Sequence, residues 1–404
     1  MSDPGKHGIP ILSYGFRIFF LLAGLYAVAA MAAWLAWLGV HMLGAEVATG
    51  NFSGAPNVWH GHEMVFGYGV ATLAGFMLTA VPSWTGAQPL SGRPLAILAA
   101  LWLAARLALW ASALLPEWLV AIVDLGFLPW LGFLVARQLL LKPQARNLVF
   151  LALLALLFAA NFAVHLEWIG VAEYSASWGL SLGIVTLALM VAIVGGRIVP
   201  AFTRNALIRE GESERLPQSF KPIEAASLIG AFAVTLCYLA NAPDTITGGV
   251  AALAALAHLA RLAFWRSWAT RRAPILWSLH LAYLWLPIGY ATIAAARLFD
   301  AMPEPVALHA LGVGAIGGMT LAVMTRAALG HTDRPLAVTR PIALSYGLVA
   351  LGALVRVFAP GLFPAFYLEL IFVAGGLWIM GFAIFVTVYW PILSGPALSG
   401  EGKV

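Results

Sequence analysis

Long apolar runs separated by short polar breaks dominate the chain. A helix needs about 20 mostly apolar residues to cross a bilayer. Runs of that kind fall near 17–41, 59–83, 94–115, 118–140, 147–166, 175–199, 223–241, 244–266, 274–298, 305–328, 339–360 and 364–391. The pattern predicts an all-α polytopic membrane protein of about twelve transmembrane helices in one membrane domain, residues 1–404. The shortest separators lie around Pro116-Glu117 and Asn241-Asp244. The longest polar stretch, 200–222, contains Arg209, Glu210, Glu212, Glu214 and Arg215.

Charge adds an orientation. Threading from an inside N-terminus collects Lys6, Arg17, Arg93, Arg137, Lys142, Arg146, Arg197, Arg204, Arg209, Arg215, Lys221, Arg261, Arg266, Arg271, Arg272, Arg326, Arg334, Arg340 and Lys403 on one side. The other side keeps Arg106, Arg297 and Arg356 at or within helices, and takes Glu46, Glu117, Glu167, Glu173, Asp244, Asp300 and Glu304. The positive-inside rule then places both termini in the cytoplasm, and a missed or extra span would break the alternation. Only 10% of the 404 residues are charged and 62% are hydrophobic, which excludes a water-soluble fold. The net charge of +5 therefore reads as membrane topology and not as a nucleic-acid surface. The N-terminal segment lacks a short apolar stretch with a small-residue cleavage site and reads as uncleaved. The lone cysteine, Cys237, leaves no disulfide within the chain and no thiolate cluster.

A recurrence subdivides the twelve spans. Helices two, six and ten end Pro82-Ser83-Trp84-Thr85, Pro200-Ala201-Phe202-Thr203 and Val323-Met324-Thr325. The threonines are 118 and 122 residues apart, four helices each time. Three four-helix arcs over 17–140, 147–266 and 274–391 account for this, as does chance recurrence of similar helix-end chemistry.

Ionisable groups inside a bilayer are costly and are functional candidates. Helical rise sorts the histidines by depth. An outer layer holds His60 and His62 at the mouth of helix two, His165 ending helix five and His309 one turn into helix ten, with His41 nearby. An inner layer holds His258 and His280 on helices eight and nine. His7 and His331 fall in solvated segments. His60 and His62 point roughly 200° apart on a regular helix, so one ion cannot take both. His60 shares a face with Glu63.

A bis-histidine haem needs one imidazole from each of two helices at equal depth, with small residues where the ring edge passes. His62 and His309 meet the depth condition, and helix ten continues Gly312, Gly314, Gly317 and Gly318. Those glycines also suit plain helix packing. His258 and His280 suit copper, a second haem, or hydrogen bonds to each other or to neighbours. Arg106 and Asp124 suit an ion pair across a hairpin, or Arg106 a cofactor propionate. Glu369 suits a proton path. The sixteen tryptophans read as an interfacial belt and packing. No catalytic residue is assigned.

Four stretches resemble the NnrS family of bacterial inner-membrane proteins. They are Gly15-Phe16-Arg17-Ile18-Phe19-Phe20, then Trp59-His60-Gly61-His62-Glu63-Met64 through Thr85-Gly86, then Gly196-Arg197-Ile198-Val199-Pro200-Ala201-Phe202-Thr203-Arg204-Asn205, and finally His309-Ala310-Leu311-Gly312-Val313-Gly314 through Thr325-Arg326. The resemblance implies a multi-pass inner-membrane protein containing haem and copper, associated with the response to nitric oxide. It carries haem ligation, b-type by expectation, onto His62 and His309, with His60 as substitute. Copper at His258 and His280 lies outside the matched motifs. A looser architectural similarity is to haem–copper oxidase catalytic subunits. Helix six lacks a histidine and helix seven a His-His pair, so their usual copper site cannot be built here. The expected function is a haem protein of nitrosative-stress defence, in one form a quinol-linked oxidoreductase acting on nitric oxide. The alternatives are a twelve-helix secondary transporter and a non-catalytic haem sensor of nitric oxide.

Overall fold

A computed structural model describes residues 9–44 and 54–398. The readings placed on Lys6, His7, Glu46 and Lys403 lie outside the described residues. Among the described residues the chain is helical, with no strand. Twelve helices are long and apolar enough to cross a membrane. They are α1 (Gly15–Met42), α2 (Pro56–Thr85), α3 (Gly92–Trp110), α4 (Glu117–Leu139), α5 (Ala145–Trp168), α6 (Ser175–Arg209), α7 (Lys221–Leu239), α8 (Asp244–Ala263), α9 (Pro274–Phe299), α10 (Glu304–Gly330), α11 (Arg340–Leu362) and α12 (Pro364–Ser394). The molecule is a multi-pass membrane protein.

Local chemistry sets the ends. Proline stands in the first helical positions of α2, α7, α9, α10 and α11. Its missing N–H costs nothing there, and its fixed φ suits the first turn. α2 stops where Gly86 turns left-handed (φ 78°) and donates to the Pro82 carbonyl at 2.8 Å.

Two ends differ from the sequence reading. α3 stops at Trp110 and gives way to a 3-10 turn at Ser112–Leu114. α6 runs ten residues past 199, through Pro200, to Arg209. Pro200 removes one helical bond but does not break the rod. The helix ends only where Gly211 (φ 85°) allows a left-handed turn, with Glu212 N–H returning to the Leu207 carbonyl at 3.0 Å. The expected 200–222 loop is correspondingly shorter.

Among the described residues two helices contain π-helical turns: Glu63–Gly69 in α2 and Ala310–Gly317 in α10. Each begins one residue after a motif histidine, His62 or His309. Such turns are rare and favour functional sites.

The chain forms two compact units. The first takes Met1–Gly183, Ala327–Pro335 and Phe385–Val404. In it α1 packs on α2, and α4 on α3 and α5. Arg17, buried, donates to the carbonyls of Ile392, Leu393 and Gly395 at 3.3, 3.1 and 2.6 Å. It caps the end of α12 and is not the loop charge expected. The second unit takes Ile184–Arg326 and Leu336–Ile384. In it α8 packs on α7 and α9, and α9 on the π turns of α10.

Candidate metal and cofactor sites

Four helices of the first unit bring ionisable side chains to one buried point. The last α-helical turn of α2 and the first π position supply His62 and Glu63. α3 supplies Arg106 one turn before its end, and α4 supplies Asp124 just before its break at Gly126. α5 supplies Asn161 and His165, four apart and therefore on one face. All six are buried, His62 and Glu63 completely.

Arg106 forks between two carboxylates. Its Nη1 donates to Glu63 Oε1 at 2.6 Å and its Nη2 to Asp124 Oδ1. This is the Arg106–Asp124 pair the sequence allowed, with Glu63 added. The Glu63 carboxylate also faces His62 Nδ1 at 2.8 Å. His62 Nε2 faces Asn161 Oδ1 at 2.8 Å and Asp124 Oδ2 at 3.2 Å. Asp124 Oδ2 further receives Asn161 Nδ2 at 2.8 Å and faces His165 Nε2 at 2.9 Å. One ligand atom each from His62, Asp124 and His165 lies within 4.8 Å of the others. Trp168 packs on both imidazoles, with ring centroids 5.0 and 5.2 Å away. Sequence reasoning missed Asn161, a neutral amide whose sole signal is its four-residue spacing from His165.

His60 lies on the other side of the helix, its ring stacked on Trp34 at 4.8 Å. Trp34 stacks on Trp37, and Trp37 on His41.

The second unit holds the remaining candidates. His309 is partly exposed, and its Nδ1 meets the Pro305 carbonyl at 2.5 Å. Gly312, in the next turn, faces open space. The other glycines of this run do not. A Cβ on Gly314 would strike the Trp285 ring, and one on Gly317 the Trp378 ring. The flat groups against these two glycines are the protein's own indoles.

His258 and His280 bond to separate neighbours. His280 has both ring nitrogens on hydroxyls, Thr203 Oγ1 at 2.8 Å and Ser267 Oγ at 2.9 Å. His258 Nδ1 meets Tyr283 Oη at 2.8 Å. That hydroxyl also receives Arg261 Nη1 at 3.0 Å, while Nη2 of the same guanidinium pairs with Glu224. Arg261 is thus a buried structural charge and not a loop signal. Among the described residues neither histidine belongs to a group of three or more convergent metal-ligand atoms. Glu369 stands exposed in the first turn of α12 after its 3-10 start.

A family model described as NnrS protein matches residues 10–397. No curated protein matches the chain.

Proposed function

Since the chain belongs to the NnrS family, we propose that it is a haem-binding protein of the bacterial inner membrane, acting in the response to nitric oxide. The observation that carries the haem part of this reading is the setting of His309. A histidine that ligates a metal typically donates its other ring N–H to a carbonyl or carboxylate, which fixes the tautomer. His309 Nδ1 does this to Pro305, which would leave Nε2 to ligate iron. The turn that follows opens at Gly312, where a flat ring edge meets no side chain.

His62 fits this role poorly. Its two nitrogens are engaged at 2.8 Å by Glu63 and Asn161, and its ring is enclosed. We therefore propose His309, and not His62, as the haem ligand. A bound haem would supply an open or displaceable iron position for nitric oxide and a one-electron couple. The chain's own part is to fix the ligand tautomer through Pro305 and to keep the adjoining turn clear of side chains. Quinol as electron donor belongs to the enzymatic form of this reading. Copper at His280 would have to displace the hydroxyl of Thr203 or Ser267, which favours structural hydrogen bonding there, whereas His258 holds Tyr283 through Nδ1 and keeps a buried, unpaired Nε2.

The test is the absorption spectrum of the purified protein. Wild type should show a haem Soret band that shifts on adding nitric oxide. His309→Ala should lose it while His62→Ala keeps it. A haem band that survives His309→Ala and vanishes in His62→Ala would overturn the assignment. Absence of haem from wild type would overturn the reading and leave a carrier.

A further inference from the structure

The cluster on α2–α5 contains two carboxylates, Glu63 and Asp124, against one guanidinium, Arg106, all buried. With both carboxylates ionised and both imidazoles neutral, one negative charge is left over, and an unpaired charge in a low-dielectric interior is strongly unfavourable. The site calls for a cation.

Hydrogen-bond polarity calls for the same thing. Asn161 Nδ2 donates to Asp124, which turns Asn161 Oδ1, an acceptor, toward His62 Nε2. On the other side of the ring, His62 Nδ1 faces the acceptor Glu63 Oε1. A neutral imidazole has one N–H and cannot donate from both nitrogens. Moreover, Asp124 Oδ2 alone faces three nitrogens, from Asn161, His165 and His62, at 2.8, 2.9 and 3.2 Å. That is more than one carboxylate oxygen normally accepts.

A metal ion removes each difficulty. With Nε2 of His62 on the ion, Nδ1–H donates to Glu63, which Arg106 holds in place. This is the carboxylate–histidine–metal arrangement that orients ligating imidazoles elsewhere. His165 then directs Nε2 to the ion in place of the crowded oxygen. We propose that His62 Nε2, His165 Nε2 and Asp124 Oδ2 bind a divalent first-row transition-metal ion, with Asn161 Oδ1 as a fourth donor at hand. Two imidazoles with oxygen donors suit zinc, iron(II), cobalt(II) or copper(II) over magnesium or calcium. The ion's charge offsets the excess carboxylate. Glu63 is a positioning residue, and the site stands independently of haem at His309.

The experiment uses full-length protein in detergent, stripped with chelator and titrated with Zn²⁺ by calorimetry and with Co²⁺ by visible absorption. One equivalent should bind, with the cobalt d–d bands of a nitrogen–oxygen site. His165→Gln leaves the Arg106 ion pairs intact and should weaken binding at least tenfold. Glu63→Gln should weaken it about 10–100-fold, the usual effect of losing a carboxylate behind a ligating histidine. His280→Ala should leave it unchanged. Retained helicity and a monodisperse elution profile would show that each variant is folded. Failure of wild type to take up metal would mean that a proton balances the cluster, and would overturn the proposal. Uptake unaffected by both His165→Gln and Glu63→Gln would place the metal elsewhere and overturn it as well.

Discussion

Arg106 ties three helices together through two buried carboxylates, and its removal is the harshest single change available in the first unit. In metal-free protein, Arg106→Ala leaves Glu63 and Asp124 without a cation, a loss of about 3–5 kcal/mol for a broken buried pair. Arg106→Lys should recover only part of this, because an ammonium cannot fork between two carboxylates. Adding Glu63→Gln to Arg106→Ala should restore some stability by removing one stranded charge. Thermal unfolding in detergent measures all three, and equal melting temperatures for wild type and Arg106→Ala would refute the account. The Arg106–Asp124 pair was legible in sequence, since opposite charges on consecutive apolar helices have few other partners. Its extension to Glu63, Asn161 and His165 was not. A regular helix puts Glu63 on the face of His60 and not of His62, and an asparagine amide leaves no trace in charge or hydropathy. Arg17 and Arg261 were misread for the converse reason: a basic residue near a helix end looks like a loop charge until its carbonyl or carboxylate partners come into view.

Spans are legible because a bilayer demands a length and a composition that sequence displays directly. The π turns in α2 and α10 are not, because they arise from how the helices pack. The glycines of α10 illustrate this. Gly314 and Gly317 let α10 close onto Trp285 and Trp378, whereas Gly312 faces open space. Alanine should therefore have opposite effects along one short segment. Gly314→Ala overpacks the indole of Trp285 and should cost about 1–3 kcal/mol. Gly312→Ala meets nothing and should be neutral or mildly stabilising, since alanine is the better helix former by up to about 1 kcal/mol. Unfolding of both variants in the haem-free protein isolates this comparison. Equal destabilisation at 312 and 314 would show that backbone freedom, and not the approach of Trp285, explains the glycines.

At the scale of the whole chain, the helix boundaries allow the charge asymmetry to be recounted. The connections 43–55, 111–116, 169–174, 240–243, 300–303 and 363 contain no Lys or Arg. Of the alternate ones, 86–91 contains none, whereas 140–144, 210–220, 264–273 and 331–339 contain Lys142, Arg215, Arg266, Arg271, Arg272 and Arg334. Setting Arg17 and Arg261 aside as structural charges leaves this contrast intact. Arg297, an exception to it, pairs with Asp244 and Glu304 and so adds no net positive charge at its end. The apolar windows of α2, α6, α9 and α10 are the most buried of the twelve, at 83%, 78%, 67% and 61%. Three arcs over 17–140, 147–266 and 274–391 remain our proposal for the origin of the four-helix recurrence. The orientation itself is open to direct measurement. In a Cys237→Ser background, Glu173→Cys and Asp300→Cys should react with a membrane-impermeant maleimide added to intact spheroplasts. Ser213→Cys, between α6 and α7, should react only after the membrane is opened. The reverse pattern would invert the chain. Labelling of 173 and 213 from the same side would mean that α6, whose apolar core the charge alternation requires to span, does not cross the membrane.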